Sequence, residues 1–226
     1  MNSIIFLLAT LIIYAGAKKL YKRFPRVYLS PLLTTPLVLV IVLLIMKIPY
    51  TNYNEGGHLL SLLLQPATIA FAIPLYKNLP TLKKHASAII ASVLCGSLVA
   101  VSTSALFAKL LHLDHNLMSS IIPRSITTPI AMNVSQAIGG VPTITAVFVI
   151  ITGLIGSMIG PYMVKWFRIE SEIARGILFG TAAHGTGTSK AFELSSLTGT
   201  IASISMILSA LFTLATTPIL ALMMLP

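Results

Sequence analysis

The sequence predicts an all-α polytopic membrane protein, and three observations predict it. Of its 226 residues 56% are hydrophobic and 9% charged, where a soluble domain carries about a quarter charged. The apolar residues gather in runs of membrane-crossing length, with intervals too short for a separate soluble domain. The basic residues behind the net charge of +10 lie in short loops beside those runs. That is the pattern of cytoplasmic membrane flanks and not of a nucleic-acid-binding face.

A span needs about 20 mostly apolar residues. The runs that qualify are 3–17 (a short one), 30–48, 58–76, 86–111, 141–164, 174–192 and 198–225. Positive charge follows the first run and none precedes it, the reverse of a signal peptide, so it is expected as a retained span. Thr34, Thr35 and Pro36 mark a kink in the second. The stretch 117–140, "LMSSIIPRSITTPIAMNVSQAIGG", has the length of a span. Pro123, Arg124, Pro129 and Gly139-Gly140 argue against one continuous helix there.

Loop charge arbitrates. Lys18, Lys19, Lys22, Arg23 and Arg26 in one loop, and Lys77, Lys83 and Lys84 in another, belong in the cytoplasm and put the N-terminus outside. Lys165, Arg168 and Arg175 join them only if 117–140 enters and returns on one side. The prediction is therefore about seven spans plus a re-entrant or broken segment, in a single integral membrane domain over 1–226, with the C-terminus inside. Cys95 is the lone cysteine, which excludes an intrachain disulfide.

The runs 30–48, 58–76 and 86–111 match 141–164, 174–192 and 198–225 in order, at an offset of about 112 residues. Repeats over about 30–111 and 141–225, inverted about the segment between them, are the plan of many secondary transporters. The middle helix of each is interrupted. "LLQPATIAF" sets Pro66 after Gln65, and "FGTAAHGTGTSK" places Gly185 and Gly187 among His184, Thr186, Thr188 and Ser189. Unwound backbone at membrane depth is tolerated only where it is buried in protein or lines a watery cavity.

The polar residues then suggest a substrate. Placing Arg124 in a bilayer costs about 2.5–3.5 kcal/mol. The helix expected after it has Thr128 as N-cap and Pro129 as its first residue. A helix start offers free N–H groups and partial positive charge to an anion, and Arg124 could add a bidentate fork for a carboxylate. The competing reading has Arg124 snorkelling to an interface to orient the segment. Candidate substrate-binding residues are Gln65, Arg124, Ser125, Thr127, Thr128, Asn133, His184, Thr186, Thr188 and Ser189. His184 is also the coupling candidate, because imidazole titrates near neutral pH. The alternative is a packing histidine bonded to a carbonyl of the opposite helix. Lys190 either joins the site or reaches the headgroups. Of the acidic residues, Glu55, Asp114, Glu170 and Glu172 fall in loops and Glu193 near the second break. A cation pathway normally shows an intramembrane carboxylate, so the pattern fits an anion.

Other signals are weaker. "HLDH" over 112–115 reads as a loop with too few firm metal ligands. "GLIGSMIG" over 153–160 supplies small residues for close helix packing and, on that face, a homodimer contact. An intramembrane hydrolase is disfavoured, since "HGTGTS" lacks the nucleophile elbow and no membrane Asp orients His184. No enzyme activity, metal or cofactor is expected.

Long motifs carry a resemblance. "IIPRSITTPIAMNVSQAIGGVPTITAVFVIITGLIGSMIGP", "ARGILFGTAAHGTGTSKAFE" and "LLQPATIAFAIPLYKNL" resemble stretches of the LrgB/CidB family, with similarity from about residue 28 to the C-terminus. The resemblance implies a bacterial plasma-membrane protein encoded beside a small holin-like partner of the LrgA/CidA type. The family is described as antiholin- or holin-like, with effects on murein hydrolase activity and programmed lysis. Plastid relatives carry glycolate and glycerate, and bacterial members are linked to pyruvate movement. At Gln136 many relatives have an acidic residue, which puts a proton or cation role there in doubt. Arg124 replaces a more usual lysine, which keeps the charge and changes the donor geometry. Two functions follow as expectations: a secondary transporter of small monocarboxylates, or a holin/antiholin-like regulatory component.

Overall fold

The computed structural model describes residues 2–24, 29–63, 66, 69–70, 72–77 and 79–224, all helix and connecting turns. Two compact units form, Met1–Ile73 and Pro74–Pro226.

The first unit holds α1 (Asn2–Arg23), α2 (Pro31–Ile45) and α3 (Tyr50–Leu62). Thr10 on α1 meets the Tyr53 hydroxyl at 3.2 Å, and Phe6 meets the Tyr53 ring edge-on at 6.0 Å. Pro36 sits inside α2, and two residues before it the Thr34 hydroxyl donates to the Ser30 carbonyl. Gln65 lies outside the described residues, so the expected first-half break around it is not described. The run expected at 58–76 is represented by the end of α3 and by α4 (Ala72–Lys77).

The second unit holds α5 (Leu79–Leu110), α6 (His115–Ile121), α7 (Thr128–Ala137), α8 (Pro142–Trp166), α9 (Glu172–Leu194) and α10 (Ser196–Met224). The described helices long and apolar enough to cross a membrane are Ile4–Arg23, Leu79–Leu110, Pro142–Trp166 and Ser196–Thr217.

Residues 115–140 form a hairpin. Asp114 caps α6 by accepting from the Leu117 N–H at 2.8 Å, and the Ser120 hydroxyl accepts from the Val141 N–H at 2.8 Å. Its limbs therefore begin and end beside the start of α8. The N-cap of α7 is Thr127, one residue earlier than the sequence indicates, with Pro129 inside the first turn. Either position leaves the proline where its missing N–H costs nothing.

α9 is a hairpin too. The sequence expects 174–192 to cross the bilayer with a break at its glycines; the chain instead reverses at His184, whose φ of 38° and ψ of −125° are non-helical. A Cβ on Gly187 would lie 2.2 Å from the Phe179 carbonyl oxygen, a contact that a straight helix cannot make. Phe179, Ala191 and Ala202 share one buried cluster. The first limb (172–183) runs beside α10, with Gly180 tight against the Ala202 carbonyl, and the second limb (185–194) returns to the end where the first began.

This reversal changes the topology. The start of α5 packs with residues opening α9 and α10, as Leu82, Ile89, Ile173, Leu197 and Ile201 in one cluster. The far end of α5 packs on α6 through Val101, Ala105, Met118 and Ile122. α5 and α10 thus run in the same direction, bonded midway by Ser97 Oγ and Ser209 Oγ at 2.9 Å. The oppositely oriented triplets of the sequence reading require them antiparallel. α10 therefore ends away from Lys83 and Lys84, which lie at the start of α5. α5 and α8 carry similar short stretches, "LCGSL" (94–98) and "LIGSM" (154–158).

The glycine face of α8 is also occupied. A Cβ on Gly153, Gly156 or Gly160 would strike Thr186, Ala183 or Phe179, respectively. The small residues expected for a homodimer contact pack α8 on α9 within the chain.

Candidate functional site

The two hairpins enter from opposite ends of the second unit, and their tips meet on the central part of α8. From one side the turn 122–127 brings Arg124, whose Nη1 donates to Thr152 Oγ1 at 3.4 Å. From the other side His184 brings its Nε2 to 3.0 Å from the Val149 carbonyl oxygen. A carbonyl only accepts, so Nε2 carries the hydrogen, leaving Nδ1 as the other ring nitrogen. A Cβ on Gly153 would lie 2.4 Å from Thr186 Oγ1 and 2.6 Å from His184 Cε1. Thr152, Gly153 and Val149 are thus the floor on which Arg124, His184 and Thr186 converge.

Local chemistry explains how a helix can break there. Reversal frees carbonyls that would otherwise bond within the helix, and buried carbonyls need partners. The Ala183 carbonyl, at the end of the first limb, receives the Thr186 hydroxyl at 2.8 Å, while Thr188 and Ser189 donate back one turn to His184 O at 2.9 Å and Gly185 O at 3.1 Å. Their donors serve the backbone, and their oxygens retain acceptor capacity. Gly185 faces open space at the tip.

The other predicted residues distribute as follows. Ser125 is 3% exposed, and its hydroxyl has no hydrogen-bond partner. Thr127 and Thr128 are half-buried at the start of α7. Ile126, Ala131 and Val134 hold that helix against Val149 and Ala210. Asn133 and Ser189 are exposed, and the Ser189 hydroxyl donates to Gly185 O. Thr188 is buried, its hydroxyl 3.8 Å from the Met206 sulfur. Lys190 pairs with Glu193 at 2.5 Å near the base of the hairpin, away from its tip. His184 makes the carbonyl bond of the packing reading while standing at the tip. Thr152 and the Val149 carbonyl were missed by sequence reasoning: the first is one hydroxyl in an apolar helix, and the second is backbone.

The chain matches the LrgB-like family over residues 10–223. It belongs to that family. The holin-like protein CidB of Staphylococcus aureus (strain N315) is 36% identical over 222 residues, 98% of this chain and 97% of that protein. The uncharacterized protein YwbG of Bacillus subtilis (strain 168) is 61% identical over 217 residues, 96% of each chain. YxaC of the same strain is 42% identical over 208 residues, covering 92% and 90%. No solved structure matches. The chain is an α-helical LrgB-like membrane protein.

Proposed function

We propose that this LrgB-like protein carries a small monocarboxylate, of the pyruvate or glycolate kind, across the bacterial plasma membrane. The observation that carries the reading is the meeting of two opposed hairpin tips on α8 with Arg124 at one of them. Broken helices that meet at mid-depth are how secondary transporters build their sites. Arg124 supplies a fixed charge, and the N-terminus of α7 adds partial positive charge for the carboxylate. Ser125, Thr127 and Thr128 offer hydroxyl donors beside it. On the other side, Gly185 leaves the opposing tip open to a ligand. Alternating access follows when one hairpin tip withdraws while the other stays closed. His184 is the coupling candidate through its Nδ1.

The test is uptake of labelled pyruvate, glycolate and lactate by the purified chain in liposomes. Saturable uptake is expected, reduced at least tenfold in Arg124→Gln while the variant remains folded by circular dichroism and gel filtration. Normal transport by Arg124→Gln would remove the anion seat. A second reading, a holin-like or antiholin-like component acting with a small LrgA/CidA-type partner, is favoured by the name carried by the CidB relatives. Absence of uptake by the chain alone, and its appearance with such a partner, selects that reading.

A further inference from the structure

Between α5 and α10 lies an apolar groove, close to the end at which α5 begins. Its floor is Ile89 and Ile204, 1% and 3% exposed. Leu82 and Ile90 of α5 and Ile207 and Leu208 of α10 form its walls. Ala86 stands among them, and its short side chain leaves the dent. The cavity measures about 210 Å³, and every side chain lining it is hydrocarbon. A cavity of that kind stays free of water, and it has no group with which to hold a free carboxylate. It opens sideways, since Ile90 is 45% exposed and Leu94 and Leu211, one turn beyond Ile90 and Ile207, are exposed too. From Leu82 to Ile90 the groove runs about 12 Å along α5, less than half the ~30 Å hydrocarbon thickness of a bilayer. It therefore belongs to one leaflet, and it starts within the first turn of α5.

Lys83 and Lys84 stand at that end. Lys83 precedes Ala86 by three residues and Ile90 by seven, which puts it on the face of α5 that walls the groove. Both lysines are exposed, and among the described residues neither forms an ion pair.

We propose that the groove is a binding site for an anionic phospholipid, with one acyl chain between α5 and α10 and the phosphate meeting Lys83 beside Lys84. The two ends of the site select the occupant. A neutral lipid satisfies only the hydrocarbon walls and a free anion only the lysines, whereas an anionic lipid satisfies both. Basic loops lie on the cytoplasmic side, where the leaflet is rich in anionic headgroups and each nearby lysine strengthens binding about fivefold. The seated chain packs on Ile89 and Ile204, which share a cluster with Ile173 and Ile201. Occupancy thus braces the starts of α5, α9 and α10 against one another. The site does not rest on the carboxylate reading.

The test titrates the purified full chain in detergent with dioleoyl phosphatidylglycerol and, separately, dioleoyl phosphatidylcholine, and follows thermal unfolding. A saturable rise in Tm is expected with the first, at a half-saturating concentration about fivefold or more below that of the second. Lys83→Gln should weaken this preference about fivefold, while Lys109→Gln, at the other end of α5, leaves it unchanged. Ile90→Trp changes an exposed wall residue, covers the groove and should abolish the rise with both lipids; its Tm without lipid shows that it is folded. If it does not fold, Ala86→Leu, which fills the dent, decides by the same readout. Equal responses to the two lipids, or equal losses in Lys83→Gln and Lys109→Gln, overturn the headgroup seat. An undiminished rise in the folded groove variant overturns the groove as the site. Cross-links joining groove positions of two chains, with a Tm indifferent to lipid, assign the face to a second copy and overturn the proposal as well.

Discussion

At the scale of the residue, His184 holds two demands together. It occupies φ of 38°, which side chains rarely adopt, and it also anchors the tip through Val149. Such conformations cost about 1–3 kcal/mol. His184→Gly removes the strain and the bond, whereas His184→Ala removes the bond and keeps the strain. The glycine variant is therefore expected to be the more stable of the two by about 1 kcal/mol, measured by thermal unfolding; an equal or inverted order contradicts the strained turn. Thr188→Val leaves the buried His184 carbonyl without its hydroxyl partner and is expected to cost about 1–3 kcal/mol. On the proposed carrier function, uptake by the surviving folded fraction should keep its KM. The sequence makes the polar cluster at 184–189 legible, and it points to a break. It does not say which way a hydroxyl turns, and here the donors turn inward to the chain's own carbonyls.

At the scale of the element, the two hairpins differ in how visibly they are written. Residues 115–140 carry Pro123, Pro129 and Gly139-Gly140, and loop charge independently asks for a return to the same side. Residues 172–194 carry no such sign. Their length suits one crossing as well as two half-length limbs, and their pivot is a histidine where chain reversal favours glycine. The tertiary contacts of Gly187 and Phe179 decide, and those join positions no periodicity links. Cysteine labelling checks the result. In a Cys95→Ala background, Glu172→Cys and Glu193→Cys should react with an impermeant maleimide from the same face of the membrane. Labelling from opposite faces would restore a crossing helix and end the hairpin description. Gly187→Leu is expected to abolish correctly folded protein, because its side chain meets the Phe179 carbonyl; gel filtration after detergent extraction reads this out.

At the scale of the whole molecule, the all-helical membrane class was legible from composition, since too few charges remain to solvate a globular surface. The direction of α10 was not, because one hidden reversal inverts every assignment that follows it. With the basic loops in the cytoplasm, a reporter placed after α10 is expected outside and one in the loop at 167–171 inside. Reporter fusions read both; a cytoplasmic signal after α10 contradicts the parallel course of α5 and α10. The reversal at His184 also bears on how the chain is made. Lys190 and Glu193 sit at the same end as Glu172, so the segment can be laid into the bilayer without threading its far flank through. Biosynthesis then moves neither charge across a barrier, and the insertion machinery has no loop to translocate between α8 and α10.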